Sequence, residues 1–286
     1  MNVLSVQSAV ACGHVGNSAA AFVLQRLGHT VWPIDTVRFS NHPARGPVRG
    51  GPSAWADMAE LLAGLAELGI FTDCAAVLSG YLGAADQGVV VLDAVRQVRD
   101  ANRQATWLLD PVIGDRGRIF VREGIPEFIR DVAAPAADIL TPNQFELAYL
   151  TGRNVDTRAE ALYAARALHA SGLDRSRRIV VATGLRLADM APDCLTIFAV
   201  GHDMAWQLTT PRIDHPAYGA GDVFSALFLG WYLRRPDLGA AAQRAVAGVH
   251  DVIARSALAG DTDLLLAEAQ DELVVPTRLF PLEAIA

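Results

Sequence analysis

The chain has 286 residues, of which 52% are hydrophobic and 19% are charged, and its formal net charge is −7. This composition is typical of a folded globular protein, and the length suits one α/β domain spanning residues 1–286. The acidic balance argues against a nucleic-acid partner, which requires a basic face. No basic leader precedes the first apolar residues, and no apolar run reaches the roughly 18 residues of a membrane span. We therefore expect a cytoplasmic protein without a membrane partner.

Lysine is absent from the whole sequence, so arginine supplies every long cationic side chain. A P-loop requires a lysine on the β- and γ-phosphates, and pyridoxal phosphate enzymes hold their cofactor on one, so both classes are excluded. Cys12, Cys74 and Cys194 are far apart and odd in number, which favours free thiols over disulfides or a zinc site. The seven histidines lack metal-ligand spacing. Phosphate chemistry in this chain would rely on backbone amides, arginine and metal.

Short apolar segments rich in β-branched residues alternate with longer helical patterns, which predicts a mostly parallel sheet with crossover helices. The predicted strands are Val3–Val6, Val31–Phe39, Ala75–Ser79, Thr106–Leu109, Asp138–Leu140, Ile179–Ala182, Leu195–Val200 and Trp206–Thr209. The predicted helices are Asn17–Leu27, Ser53–Leu68, Gln87–Asn102, Asn143–Leu150, Thr157–Ala170, Asp222–Leu233 and Leu238–Ala257. The segment His42–Pro52, rich in Gly, Pro and Arg, is either a mobile loop or an ordinary surface connection.

Polar residues directly follow the predicted strands. In sheets of this kind, ligands bind beyond the carboxyl ends of the strands. We therefore expect the site among Ser8, Ser40–His42, Gly80–Tyr81, Asp110–Pro111, Thr141–Asn143 and Thr183–Gly184.

The stretch Gly219-Ala-Gly-Asp222 stands immediately before an apolar helical run. One interpretation is a glycine turn followed by an acidic residue in the first turn of a helix. The other is that the amides of Gly219, Ala220, Gly221 and Asp222 point at an anion while the Asp222 carboxylate takes a proton beside it. These residues alone leave both interpretations open.

Three further acidic residues occur near predicted strand ends. Asp110 follows a buried strand, where a carboxylate is costly unless water, a metal or a partner reaches it, although an Asp-Pro turn has the same sequence. Asp115 lies on the same loop and could join Asp110 at a cation. Asn143 and Glu146 have the spacing of a helix capping box, but Glu146 could equally serve a hydrated Mg²⁺. Together with the glycine stretch, these carboxylates indicate phosphoryl transfer.

Two other enzyme classes are disfavoured. Gly13–Ser18 lacks the Gly-x-Ser-x-Gly pattern, so we expect a tight turn capped by Asn17 and no serine nucleophile. No Gly-x-Gly-x-x-Gly follows the first strand, which counts against a dinucleotide fold.

The motifs resemble a known family. Gly219-Ala-Gly-Asp222 resembles the signature of the ribokinase-like small-molecule kinases. More specific matches to the pyridoxal kinases follow in order: Val6-Gln-Ser8, Gly13-His-Val-Gly-Asn-Ser18, Val37-Arg-Phe-Ser-Asn-His42, Ser79-Gly-Tyr-Leu82, Asp110-Pro-Val-Ile-Gly-Asp115 and Thr141-Pro-Asn-Gln-Phe-Glu146. The matches run from the N-terminus to about Leu229. The resemblance implies a three-layer α/β sandwich that transfers the γ-phosphoryl group of ATP to the 5′-hydroxymethyl group of pyridoxal, pyridoxine or pyridoxamine. It also implies Mg²⁺, room for a monovalent cation such as K⁺, and a homodimer.

The same resemblance assigns roles to individual residues. Asp222 would accept the hydroxyl proton, and the amides around Gly219, Ala220 and Gly221 would cradle the phosphoryl group. The pyridine ring would meet Ser8 and lie among Val37, Phe39 and Tyr81. Asp110, Asp115 and Glu146 would organise the cation and the phosphates. Thr141 and Thr183 would lie near ATP, and residues 202–213 would flank the adenosine, in particular Thr210, Pro211, Arg212 and Ile213.

Two positions depart from the family pattern. Pro43 stands where many relatives have threonine, so a hydroxyl contact to the substrate is lost. Thr183 stands where one bacterial branch has lysine, in keeping with the lysine-free composition. The alternatives are a hydroxymethylpyrimidine kinase of the same fold and a vitamin B6 binding protein without turnover. The context of Ser8 and Tyr81 favours pyridoxal over the pyrimidine, and an intact Gly219–Asp222 stretch argues against mere binding.

Overall fold

The computed structural model of the chain describes residues 1–285, in which a ten-stranded sheet lies between two layers of helices. The strands are β1 (Asn2–Cys12), β2 (Thr30–Asn41), β3 (Gly50–Pro52), β4 (Cys74–Ser79), β5 (Thr106–Leu109), β6 (Gly114–Asp115), β7 (Arg118–Ile119), β8 (Ile139–Leu140), β9 (Ile179–Leu185), β10 (Cys194–Val200), β11 (Ala205–Pro211) and β12 (Leu282–Ile285). The helices are α1 (Asn17–Arg26), α2 (Trp55–Glu67), α3 (Gln87–Ala101), α4 (Ile125–Phe128), α5 (Ala134–Ala136), α6 (Gln144–Thr151), α7 (Arg158–Ala170), α8 (Ala220–Arg234), α9 (Leu238–Ala259) and α10 (Gln270–Val274).

The middle of the sheet is parallel and its edges are antiparallel. The strand order is β12-β11-β10-β9-β8-β5-β4-β1-β2-β3, while β6 and β7 form a separate hairpin. All pairs from β9 to β2 are parallel, whereas β3, β10, β11 and β12 pair antiparallel with their neighbours. The carboxyl ends of the six parallel strands therefore meet along one side of the sheet, which we call the carboxyl edge.

Alternation along the strands builds one hydrophobic core on each face of the sheet. Leu4 and Trp107 belong to the core beneath the helices α2, α3, α6 and α7, whereas Val3 and Leu108 belong to the core beneath α1, α8 and α9. Strands buried on both faces have continuous apolar sequences, which is why these segments were recognisable as central strands. This arrangement confirms the predicted three-layer α/β sandwich.

Most predicted elements are present. The eight predicted strands and seven predicted helices all occur, with shifts of up to six residues at their ends. The elements that the pattern missed are short: β3, β6, β7, β12, α4, α5 and α10. Among the described residues, no helix is both long and apolar enough to cross a membrane.

Some strand and helix ends correct the sequence prediction. β1 continues to Cys12, so Ser8 lies inside the strand, at a register shift between Gln7 and Ala9. β9 likewise includes Thr183, and its pairing with β10 shifts register at this point. In the first case the extra residue is on β2, where Thr36 and Val37 lie opposite Ser8, and in the second it is on β9. Such bulges occur often beside functional sites and redirect a side chain. The α8 helix begins two residues earlier than predicted, at Ala220.

The segment His42–Pro52 is an arm folded against the carboxyl edge. Its end forms β3, which pairs with β2 through Val37 and Pro52. The ring of His42 stacks on Tyr218 with centroids 4.7 Å apart, and Arg45 forms an ion pair with Asp263. The arm therefore contacts the loop before α8 and the loop after α9, in addition to its own hairpin.

Candidate active site

The N-terminus of α8 lies against the loop that joins β1 to α1. Gly219 caps the helix with φ at +89°, and a Cβ atom at this position would lie 2.1 Å from the His14 carbonyl oxygen. Glycine is required here because it alone adopts this conformation at little cost and leaves room for the neighbouring backbone. Asp222 then occupies the third position of the helix.

The amides of this first turn are partly free. The first N–H groups of an α-helix have no carbonyl partner within the helix, and they attract anions. The Ala220 amide instead donates to the Ala217 carbonyl oxygen at 3.0 Å. The prediction that the Ala220 amide binds the phosphoryl group was therefore wrong, because this N–H already donates to the turn before the helix. Gly219, Gly221 and Asp222 remain as candidate donors.

The Asp222 carboxyl group is half-buried, and burial raises its pKa to about 6, partly offset by the backbone of Gly16. Gly16 is itself tightly enclosed, since a Cβ atom there would lie 2.1 Å from the Ser8 carbonyl oxygen. An acidic residue that served only the helix start would lie in solvent, where the helix dipole stabilises its charged form. A raised pKa is instead the property of a carboxyl group in a recess, and it suits a general base.

A second carboxylate lies beside the first. Asp110 follows β5 at the carboxyl edge and is 5% exposed. Burial and the negative charge of Asp222 raise the pKa of Asp110 to about 7, against the hydrogen bonds of Ser225 and Thr141. A Cβ atom at Gly221 would lie 3.7 Å from Asp110 Oδ2. Asp110 is therefore next to the first turn of α8, as its predicted role requires.

Glu146 is the third acidic residue of the candidate site. The capping box is present: the side chain of Asn143 accepts from the Glu146 amide, and Glu146 Oε2 accepts from the Asn143 amide at 2.9 Å. Glu146 Oε1 accepts from the Ile113 amide at 3.0 Å. Burial, followed by the charge of Asp110, raises the pKa of Glu146 well above its ordinary range. Both of its oxygens already accept backbone amides.

The predicted metal ligands do not assemble into a cluster. Asp115 is exposed and pairs with Arg116 at 3.5 Å, whereas Asp110 and Glu146 are buried. Within residues 1–285, no group of three His, Cys, Asp or Glu side chains is arranged to hold a bare metal ion. Asp110 and Glu146 nevertheless fit a hydrated Mg²⁺, because this ion keeps several waters and takes phosphate oxygens together with one or two carboxylates.

The residues predicted to enclose the pyridine ring lie near the bulge of β2. Ser8 is 7% exposed, and Val37, which lies in the bulge opposite Ser8, is fully buried. Phe39 and Tyr81 are half-buried, and burial raises the pKa of the Tyr81 phenol. The backbone of Tyr81 is fixed by Thr36, whose hydroxyl donates to its carbonyl oxygen at 2.7 Å. Pro43 is exposed on the arm and begins a short 3₁₀ turn.

The residues predicted to meet the nucleotide lie on the other side of Asp110. Thr141 directly follows β8, and Thr183 donates its amide to the Pro142 carbonyl oxygen at 2.9 Å. Thr210 and Pro211 end β11, and Arg212 and Ile213 follow on the connection to α8. The start of the predicted adenosine segment was wrong: residues 202–204 belong to the turn between β10 and β11, at the opposite end of the strands. A surface cavity of about 680 Å³ borders this region; it is lined by Asp156, residues 186–188, Met190, Ala191, Pro192 and Cys194.

Sequence reasoning missed or misplaced several residues of the site. Gly16, and not Asn17, precedes α1, and the Asn17 side chain donates to Asp35 and the Ile34 carbonyl oxygen within a buried network. Ser225 donates a hydrogen bond to Asp110, but the sequence analysis treated it as part of an apolar helical run. The sequence did contain a signal for this residue, because Ser225 is the one polar residue between Val223 and Leu229.

Comparison with known proteins agrees with this geometry. Residues 69–265 match the family model described as phosphomethylpyrimidine kinase. The pyridoxal kinase of Rubrobacter xylanophilus is 45% identical over 288 residues, covering 100% of this chain and 98% of the relative. The chain belongs to the pyridoxal kinase family. The pyridoxal kinase of Granulibacter bethesdensis, 43% identical over 98% of both chains, leads to the same assignment.

Solved structures of this family share the fold along its whole length. A pyridoxal kinase from Leishmania donovani in complex with ADP and pyridoxamine superimposes with a TM-score of 0.91 at 28% identity, covering 100% of this chain and 99% of that chain. Its complex with ADP and pyridoxine gives a TM-score of 0.91 at 29% identity, with the same coverage. The ten-stranded sheet described above is therefore the ribokinase-like fold of the pyridoxal kinases.

Proposed function

We propose that this chain transfers the γ-phosphoryl group of ATP to the 5′-hydroxymethyl group of pyridoxal, giving pyridoxal 5′-phosphate in vitamin B6 salvage. Pyridoxine and pyridoxamine are further acceptors. One observation carries the proposal: the Asp222 carboxyl group, with its pKa raised to about 6, lies in the amide-lined first turn of α8 beside Asp110. Binding alone has no need of such a base. Membership of the pyridoxal kinase family supplies the substrate class.

Asp222 acts as the general base. Because its pKa is about 6, the group is mostly ionised at neutral pH and is still basic enough to accept a proton. The hydroxyl oxygen of the vitamin bonds to the γ-phosphorus, the bond from that phosphorus to the oxygen of ADP breaks, and the hydroxyl proton passes to Asp222. The amides of Gly219 and Gly221 donate to the phosphoryl oxygens and balance their charge.

Asp110 and Glu146 would hold the hydration shell of Mg²⁺. Bound to the nucleotide, Mg²⁺ neutralises charge on the β- and γ-phosphates. The two carboxylates are buried and each has a raised pKa, and a cation beside them would favour their charged forms. Thr141 and Thr183 would contact the phosphates, with Thr210–Ile213 beside the adenosine. A monovalent cation such as K⁺ is a further component that the family resemblance implies.

Ser8 and the bulge of β2 opposite it would position the acceptor. Ser8 would meet the pyridine ring while Val37, Phe39 and Tyr81 enclose its faces, an arrangement that suits a flat aromatic ligand. Pro43 offers no hydroxyl on the arm, so discrimination among the vitamers rests on the other wall residues. The arm closes over the bound ring. We further propose that the chain acts as a single domain within a cytoplasmic homodimer, as the family resemblance implies.

The second candidate is a hydroxymethylpyrimidine kinase, because the matching family model is described as phosphomethylpyrimidine kinase. A substrate panel separates the two. Purified protein is incubated with ATP and Mg²⁺ and with either pyridoxal, pyridoxine, pyridoxamine or the pyrimidine alcohol, and each phosphorylated product is quantified by mass spectrometry. We expect the highest kcat/KM with a B6 vitamer. Preference for the pyrimidine would establish the second candidate. If no acceptor gave a phosphorylated product, the protein would be a binding protein without turnover.

A further inference from the structure

Ser225 is a buried serine within the apolar core of α8. It lies one turn beyond Asp222, is 1% exposed, and is the one polar residue between Val223 and Leu229. A buried hydroxyl group that lacks a hydrogen-bond partner is costly, and alanine would fill this helical position without that cost. The hydroxyl of Ser225 therefore requires a reason beyond packing.

Its partners come from two loops at the carboxyl edge. Ser225 Oγ donates to Asp110 Oδ2 at 3.0 Å and lies 2.8 Å from Thr141 Oγ1. Hydrogen bonds from both Ser225 and Thr141 lower the pKa of Asp110, so the two hydroxyls act on the same carboxylate. Asp110, Ser225 and Thr141 therefore form one hydrogen-bonded cluster that links α8 to the nucleotide side of the carboxyl edge.

Ser256 in α9 shows what a buried helical serine ordinarily does. It is fully buried, and its hydroxyl donates to the Val252 carbonyl oxygen at 2.9 Å, four residues earlier in the same helix. This bond to the preceding turn is the common choice of serine in a helix. Its oxygen also accepts from the Leu265 amide at 3.0 Å. Ser225 instead donates its hydrogen outside its helix, to the Asp110 carboxylate.

The orientation of the Asp110 carboxylate depends on a hydrogen bond such as the one from Ser225. Its carboxylate lies against the first turn of α8, close to Gly221, and experiences the negative charge of Asp222. Repulsion between two like charges favours a rotation of Asp110 away from Asp222. A hydrogen bond from a fixed donor opposes this rotation and defines which oxygen faces away from the helix.

We propose that Ser225 is a positioning residue that, together with Thr141, holds the Asp110 carboxylate in the orientation required by the hydrated Mg²⁺ of the nucleotide. The inference rests on the proposed function, because it assumes that Asp110 serves a magnesium nucleotide. Residues that orient a group serving a metal commonly contribute about 10- to 100-fold to metal affinity or activity. Ser225 would act on the nucleotide through Asp110 without contacting pyridoxal.

The test measures ATP binding by calorimetry without any acceptor, in excess magnesium and in excess EDTA. For Ser225→Ala we expect binding of the magnesium nucleotide to weaken by about 10-fold or more, while binding in EDTA changes by less than about 2-fold. In steady-state assays the magnesium concentration for half-maximal rate increases, and KM for pyridoxal is unchanged. Thr141→Val should weaken binding of the magnesium nucleotide in the same direction, because its hydroxyl acts on the same carboxylate.

Ser256→Ala is the matched control, since it removes a buried helical hydroxyl far along the sequence from the site. We expect it to lower thermal stability without altering the magnesium dependence of ATP binding. Equal weakening in magnesium and EDTA for Ser225→Ala, or no weakening in either, would overturn the inference. Failure of the wild-type protein to phosphorylate pyridoxal would refute the proposed function. The comparison of ATP binding in magnesium and in EDTA would still test the role of Ser225, because it requires no acceptor.

Discussion

Replacing Asp222 by Asn tests the catalytic assignment with a minimal structural change. The amide has nearly the same size and shape as the carboxyl group, so it fits the recess between Gly16 and the first turn of α8. It removes the negative charge and the ability to accept a proton at neutral pH. It also removes the repulsion that raises the pKa of Asp110, so the variant should remain folded.

The expected loss follows from the role of the group. A general base contributes roughly 10²- to 10⁴-fold, which equals about 2.7 to 5.4 kcal/mol of transition-state stabilisation. We expect kcat to fall within this range, whereas pyridoxal affinity, for which we propose Ser8, Val37 and Tyr81, changes little. A loss confined to kcat marks an interaction made in the transition state.

The assay follows formation of pyridoxal 5′-phosphate by absorbance, and pyridoxal binding is measured separately by calorimetry. Asp203→Asn is the control, because this carboxylate is 84% exposed on the turn between β10 and β11, at the opposite end of the strands. We expect wild-type kinetics for the control. Turnover by Asp222→Asn within a few-fold of wild type would refute the assignment of Asp222 as the base.

Three further predictions concern the same site. Because the base must be ionised, kcat/KM should fall about tenfold per pH unit as pH drops below about 6, and a flat rate between pH 5 and 7 would contradict the pKa of Asp222. Gly219→Ala should lower the free energy of unfolding, measured by urea denaturation, several-fold more than the control Gly260→Ala. A Cβ atom at Gly219 meets the His14 carbonyl oxygen, whereas Gly260 faces open space. The control should lower the free energy of unfolding by about 1 kcal/mol. Hydrogen exchange across His42–Pro52 should slow when pyridoxal and a non-hydrolysable ATP analogue bind, since we propose that the arm closes over the ring; unchanged exchange would refute that proposal.

The sequence was sufficient for the central sheet because its strands are buried on both faces. Continuous apolar runs such as Thr106–Leu109 have few other interpretations when they alternate with helical patterns. The short edge pieces were not predictable in the same way. β3 contains only Gly50–Pro52, and glycine and proline ordinarily argue against a strand, so its pairing with β2 is decided by tertiary contacts.

The residues of the candidate site were likewise predictable only in part. Asp110, Thr141 and Asp222 were located because each follows a buried strand or begins a helix, and these places are visible in the sequence. The hydrogen bond of the Ala220 amide to Ala217 and the bulge of β2 opposite Ser8 were not visible, because each depends on the backbone of other segments. The burial that raises the pKa of Asp222 is likewise a property of the assembled fold.

The most direct test of the account is a crystal structure of the protein with a non-hydrolysable ATP analogue, Mg²⁺ and pyridoxal. We expect an oxygen of Asp222 to lie about 2.6 to 3.2 Å from the 5′-hydroxyl group, with the terminal phosphate facing the amides of Gly219 and Gly221. A ternary complex in which Asp222 is turned away from the hydroxymethyl group, or separated from it by another side chain, would contradict the central claim.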